Sequence, residues 1–161
     1  VITGFNGIGK STLLKTLIGE ISSMNGYYKF SDQVTIGYFE QDLLWDDTAR
    51  TPIQIISDSY PEMVMKEVRK SLARCGISSK HAMQPIATLS GGEQAKVKMC
   101  LLTLKPCNFL ILDEPTNHFD VQAKDSLKTA LEEFPGTVLL VSHEENFYQE
   151  WTQKVINIEK R

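Results

Sequence analysis

Nine residues near the start of the chain, Gly4-Phe5-Asn6-Gly7-Ile8-Gly9-Lys10-Ser11-Thr12, follow the spacing G-x-x-x-x-G-K-[ST]. Residues of these types at this spacing suit one task. The glycines let the backbone curl until successive N–H groups point inward at a phosphate chain. The lysine ammonium then reaches the outer phosphates, and the hydroxyl that follows can enter a Mg²⁺ shell. Gly4, Asn6, Gly7, Gly9, Lys10, Ser11 and Thr12 are therefore candidate nucleotide-binding residues, and Ser11 is also a candidate metal ligand. A Gly-rich turn capping a helix is the plainer alternative. The four fixed positions coincide by chance at only roughly 10⁻⁵ to 10⁻⁴ per site, given average glycine usage.

Two further stretches carry chemistry. Phe109-Leu110-Ile111-Leu112 is an unbroken apolar run ending in Asp113-Glu114. A run of that kind reads as a strand buried on both faces. Carboxylates at the carboxyl end of such a strand fall beside a phosphate loop, because ligands bind outside the carboxyl ends of parallel strands. Asp113 would hold Mg²⁺ and Glu114 would polarise an attacking water. A solvated acidic turn is the alternative if the run is taken alone. Leu89-Ser90-Gly91-Gly92-Glu93-Gln94 reads as a helix start: Ser90 is the N-cap, Glu93 closes a capping box, and the glycines leave backbone amides uncovered. Uncovered amides at the positive end of a helix dipole form an anion site. On its own, this segment is equally a plain capped helix.

The elements needed to position these groups are legible in the pattern. Val1-Ile2 leads into the loop and Lys10 to Ile18 into a helix. Gly26 to Phe30 and Val34 to Phe39 look like two short aromatic strands packing on one another, split by Ser31-Asp32. From 43 to 85 the texture is helical: Thr51-Pro52 reads as N-cap then N1, and Pro61 opens a helix that Gly76 ends. Val64, Val68, Leu72 and Cys75 repeat along that helix at helical spacing. A helix from Ser90 to about Leu104 and another from Val121 to Phe134, capped by Asp120, flank the acidic strand. A second apolar strand, Thr137 to Val141, a short helix near Asn146 to Trp151 and a last strand, Val155 to Ile158, complete the chain. Alternating strands and helices predict an α/β fold with a parallel sheet.

Composition sets the limits. The chain has 161 residues, 42% of them hydrophobic and 23% charged, which suits a compact soluble domain. A net charge of −3 advertises no basic field for nucleic acid or membrane. No apolar run approaches a membrane span, and no signal peptide is visible. Cys75, Cys100 and Cys107 lack metal-site spacing, and Cys75 and Cys100, on apolar helix faces, read as reduced core thiols of a cytoplasmic protein. Lys66, Arg69, Lys70 and Arg74 form a basic stripe that reads as a solvated helix face. The opening on Val1, one strand before the loop, predicts a piece of a longer polypeptide.

Taken together, Gly4 to Thr12, Gln41 after Tyr38-Phe39-Glu40, Leu89 to Gln94, Asp113-Glu114 and Ser142-His143 occur in the order and approximate spacing of ATP-binding-cassette ATPases. The resemblance covers essentially the whole chain. It implies a P-loop NTPase core with a parallel sheet, a small antiparallel β part partly missing at the N-terminus, and an inserted α-helical subdomain. On that reading, residues 1–42 carry the loop and β part, 43–89 the helical subdomain, and 90–161 the signature helix, acidic strand and switch region. The resemblance further implies ATP and Mg²⁺ as ligands. Gln41 would touch the metal and the attacking water, and His143 would stand near the γ-phosphate as the switch histidine. Ser90, Gly91, Gly92 and Glu93 would contact ATP held by a second, facing cassette, from the same polypeptide or a homodimer.

Ile36 to Asp42, Ser90 to Glu93 and Glu114-Pro115-Thr116-Asn117-His118-Phe119-Asp120 are similar to the ABC-F group, and the chain is most similar to its second cassette. Members are soluble proteins acting on the ribosome, as translation factors or antibiotic-resistance protection proteins. Ribosomal RNA is therefore an implied partner of the full-length protein, with no membrane insertion. Phe119, where leucine is usual, and Glu144-Glu145, where Asp-Arg is common, depart from the group's pattern. The ATP-binding subunit of a membrane transporter is the alternative, and a cassette that only binds ATP is a third reading that Glu114 and His143 oppose. Weak hydrolysis is expected of the domain alone.

Overall fold

A computed structural model describes residues 1–117 and 119–158. Five strands, β1 (Ile2–Thr3), β2 (Ile36–Phe39), β3 (Phe109–Asp113), β4 (Thr137–Val141) and β5 (Ile156–Asn157), form one sheet in the order β2-β3-β4-β1-β5. Every pairing in it is parallel. Six α-helices are described: α1 (Lys10–Leu17), α2 (Pro52–Ser59), α3 (Met65–Arg74), α4 (Gly91–Leu104), α5 (Val121–Glu132) and α6 (Glu145–Tyr148). The chain divides into two compact units. One comprises Val1–Gln41, Pro106–Asn117 and Lys124–Arg161; the other comprises Asp42–Lys105 with His118–Ala123.

The sheet unit follows from the apolar runs. Leu110 to Asp113 are buried, as the uninterrupted hydrophobic stretch predicts for an inner strand. Leu14 on α1 is fully buried and shares a core with Ile2, Ile111 and Val141. That packing fixes α1, and with it the loop ahead of α1, to the sheet.

The helical unit has its own core, built from Ile53, Ile55 and Ile56 of α2, Val68 and Leu72 of α3, and Val97 and Cys100 of α4. Thr51 caps α2 with a complete capping box and Pro52 at its first turn, as the dipeptide predicts. Helix α3 begins at Met65 rather than Pro61, because Pro61-Glu62-Met63 turn first, with Met63 N donating to Tyr60 O. The signature helix α4 belongs to this unit. No disulfide forms among the described residues; Cys100 is buried and Cys75 half-buried.

One expectation of the fold is corrected. Gly26 to Phe30 form no strand, and the aromatic pair of strands does not arise among the described residues. Tyr27 stands exposed, Tyr28 donates its hydroxyl to Thr16 O at 2.5 Å, and Phe30 meets Phe109 edge-on at 5.3 Å. Tyr38 and Phe39 instead lie on β2, which zips in parallel onto β3 over Ile36–Phe109 to Phe39–Leu112. Paired with a buried inner strand, β2 gains a full hydrogen-bonded ladder. The Gly26 to Phe30 stretch has no described neighbour on which to form one.

Candidate functional site

The site begins with the sheet's register. Ile2 pairs with Val141, and Val141 pairs with Asp113, so β1, β4 and β3 end at one level. The residues beyond those ends are the phosphate loop, Ser142-His143 and Glu114. Strand β2, which ends at Phe39 opposite Leu112, delivers Gln41 to the same edge. All four motifs of the sheet unit thus lie at the carboxyl edge of one parallel sheet, where such sheets bind ligands.

A cleft of about 450 Å³ opens there, lined by Asn6, Gly7, Gly9, Lys10, Ser11, Thr12, Gln41, Asp113, Glu114, Asn117, Val141 and His143. Most of the sequence-predicted residues meet in it. Gly4 does not line it but lies beneath: a Cβ there would come within 2.6 Å of the Ile158 carbonyl oxygen, so only glycine fits. Gly7 and Gly9 have φ of 76° and 103°, and nothing would meet a Cβ at either position, so space stands open in front of the loop. Helix α1 starts without a side-chain cap and without an acidic residue in its first turn. No side chain of its own first turn compensates its amide dipoles, which leaves them available to an anion.

The charged groups are set tightly. Lys10 is 7% exposed and donates from Nζ to Gly4 O at 2.8 Å and Phe5 O at 3.1 Å. Asp113 is 1% exposed. Glu114 takes a left-handed backbone with φ of 47°, unusual for glutamate and characteristic of functional sites. His143 faces its carboxylate through both ring and backbone. His143 Nε2 lies 3.0 Å from Oε1, and the His143 backbone N–H donates to Oε2 at 3.3 Å. Burial pushes the Glu114 carboxyl above its ordinary range. His143 and the Lys10 ammonium oppose that rise, while Asp113 adds to it. A raised carboxyl is a better proton acceptor than an ordinary one when it is ionised.

Ser11, Gln41 and Asp113 all line the cleft and offer oxygen atoms, the ligand type Mg²⁺ prefers. No cluster of three or more His, Cys, Asp or Glu side chains suited to a metal occurs among the described residues.

Ser90, Gly91, Gly92 and Glu93 belong to the helical unit and do not line the cleft. They form the start of α4 with the predicted capping box: Glu93 N donates to Ser90 Oγ at 3.3 Å, and Ser90 N to Glu93 Oε2 at 2.8 Å. Ser90 and Gly91 are exposed at the tip. Asn117 and Val141 are the lining residues that the sequence reading did not select. The signal for Asn117 is its place three residues after Glu114, in a turn closed by Asn117 N donating to Glu114 O. His118, part of the same motif, lies outside the described residues. Glu144 pairs with Lys124 at 2.6 Å, which gives that departure from the group's pattern a partner on α5.

Fold and cleft together define a P-loop α/β NTPase unit. The chain belongs to the ABC transporter family, whose model matches residues 1–117. It is 43% identical to an uncharacterized ABC transporter ATP-binding protein, YfmM, of Bacillus subtilis, across 95% of this chain and 31% of that one. It is 41% identical to ATP-binding cassette sub-family F member 3 of Mus musculus, across 91% of this chain and 21% of that one. The chain thus spans under a third of the length of the curated relatives it matches. Among solved structures, the dimeric bacterial ABC transporter cassette MJ0796 shares the fold, with a TM-score of 0.79 at 20% identity over 98% of this chain and 79% of that one. The ribosome-bound archaeal Pelota and ABCE1 model gives a TM-score of 0.76 at 24% identity, over 99% and 28%. Among the described residues, no helix is long and apolar enough to cross a membrane.

Proposed function

We propose that this chain binds MgATP in the sheet-edge cleft and hydrolyses it to ADP and phosphate, with the reaction completed by a second cassette. The observation that carries the reading is the convergence of Lys10, Ser11, Gln41, Asp113, Glu114 and His143 on one cleft from four strand ends. Lys10 exchanges its loop carbonyls for phosphate oxygens, and the Gly7 to Thr12 amides hold the phosphate chain. Ser11, Asp113 and Gln41 would hold Mg²⁺, which would neutralise charge on the phosphates. Gln41 orients the attacking water, Glu114 takes its proton, and His143 holds the Glu114 carboxylate in place.

Supporting a composite site, Ser90 and Gly91 are exposed at the start of α4. Ser90 to Glu93 of one cassette would therefore meet ATP gripped by another, in the same polypeptide or in a homodimer. The similarity to sub-family F relatives supports a cytoplasmic ABC-F protein whose full-length form acts on the ribosome. A transporter's ATP-binding subunit is the second reading, favoured by the family's own description. Hydrolysis should be slow for the chain alone, with a rate per molecule that rises with protein concentration. A brisk rate independent of concentration refutes the composite site. Stimulation of the full-length protein's ATPase by ribosomes separates the two cellular roles: the ABC-F role predicts it, and its absence beside a copurifying membrane partner favours the transporter.

A further inference from the structure

The two residues after the signature glycines are each held from outside the helix. Glu93 closes the capping box with one oxygen, Oε2, which accepts from Ser90 N at 2.8 Å and Ser90 Oγ at 3.0 Å. Its other oxygen, Oε1, pairs with Nδ1 of His81, from the 3₁₀ turn His81–Met83. Gln94 is held in the same manner. Its Oε1 accepts from Trp45 Nε1 at 2.9 Å, and its Nε2 donates to Leu89 O at 3.1 Å. The Lys98 ammonium lies 4.5 Å from the centroid of the Trp45 ring, in cation–π contact. A capping box is complete with its serine and glutamate alone. His81 and Trp45 therefore add something that starting a helix does not require.

What they add follows from the serine's hydrogen bonds. The Ser90 hydroxyl has one proton, and it is directed at Glu93 Oε2. To donate to a phosphate oxygen, that hydroxyl must turn away, and Glu93, whose side chain is 23% exposed, loses a donor. His81 keeps the carboxylate paired when that happens. Trp45, acting through Gln94, keeps the Leu89 carbonyl fixed, so the backbone entering Ser90 stays in register while the side chain swings.

We propose that His81 and Trp45 are positioning residues for Ser90, holding the signature tip ready for a phosphate on a second cassette. The inference rests on the composite-site reading above. In the full-length protein, His81→Ala and Trp45→Phe should each lower kcat for ATP hydrolysis about five- to tenfold, the effect of losing one charged or buried hydrogen bond in the transition state. Trp45→Phe keeps an aromatic ring at this position but removes the indole N–H together with the five-membered ring that carries it. KM for MgATP should hold, because the phosphate loop is untouched, and the melting temperature should stay near that of the parent. His81→Gln, which restores an N–H donor toward Glu93, should recover most of the rate.

Ser90→Ala is the reference that separates the two ideas. If it lowers kcat while His81→Ala and Trp45→Phe do not, the positioning role is wrong and the composite site stands. If Ser90→Ala itself leaves kcat unchanged, the composite site falls and the positioning role falls with it. A fall in kcat for His81→Ala or Trp45→Phe that tracks a fall in melting temperature, with no recovery in His81→Gln, assigns these side chains to stability and overturns the proposal.

Discussion

In the cleft, stretches as far apart in sequence as Gly9 and His143 are brought to one level by strand register. At the signature tip, Leu89 to Gln94 arrange themselves, helped by two side chains from the same unit. The cleft buries its charges: Lys10 and Asp113 are almost wholly covered, and burial raises the Glu114 carboxyl. The tip leaves Ser90 and Gly91 exposed, and Glu93 is held below its usual range, first by the Ser90 backbone N–H and also by the Ser90 hydroxyl, His81 and Lys96. The difference teaches where each kind of chemistry can be built. A proton acceptor needs a desolvated place that only tertiary structure supplies. An anion-binding tip needs exposed amides, and a single helix turn supplies them.

The largest effect separating the two regions is expected at Lys10. Lys10→Ala should weaken MgATP binding about a hundredfold or more, the scale for truncating a buried hydrogen-bonded charge. Calorimetry or fluorescent-nucleotide titration reads it directly, and Ser90→Ala should leave the same binding constant nearly unchanged. Equal losses in both variants would mean that cleft and tip do not differ in this way. Next comes the support beneath the loop. Leu14→Ala should destabilise the protein by about 2–5 kcal/mol in denaturant unfolding, because Leu14 is fully buried between α1 and the sheet.

The smallest effect belongs to the tip. Because the folded state lowers the Glu93 pKa, its capping contribution is fully present above the ordinary carboxylate range. It is lost as pH falls through the depressed value. Glu93→Gln should reduce that acid-side dependence, with a stability difference of about 0.5–2 kcal/mol at neutral pH, the usual size of a cap. A pH–stability profile unchanged by the substitution would mean that the carboxylate adds nothing at the tip.

Legibility in the sequence follows the same division. The capping boxes at Thr51 and Ser90 and the buried strand at Phe109 to Asp113 were readable because each is determined within a few residues. Glu114 was placed beside the loop by its strand, but the arrival of Gln41 and His143 at the same cleft was readable only through resemblance, since strand order and register are not written locally. Gly26 to Phe30 misled because aromatic residues favour strands only where a neighbouring strand completes the ladder. The Glu114–His143 pairing and the left-handed Glu114 backbone left no mark in the residue pattern. Trp45 and His81 looked like ordinary residues of a helical stretch until their partners on α4 were visible.

The central claim is that Glu114 draws the proton from the attacking water in a cleft that grips ATP without its help. A single-turnover experiment on the full-length Glu114→Gln protein tests it most directly: load MgATP, remove free nucleotide, and identify what stays bound over time. The account predicts that ATP persists, with conversion slowed about 10²- to 10⁴-fold relative to the parent. Recovery of ADP at the parent's rate would contradict it.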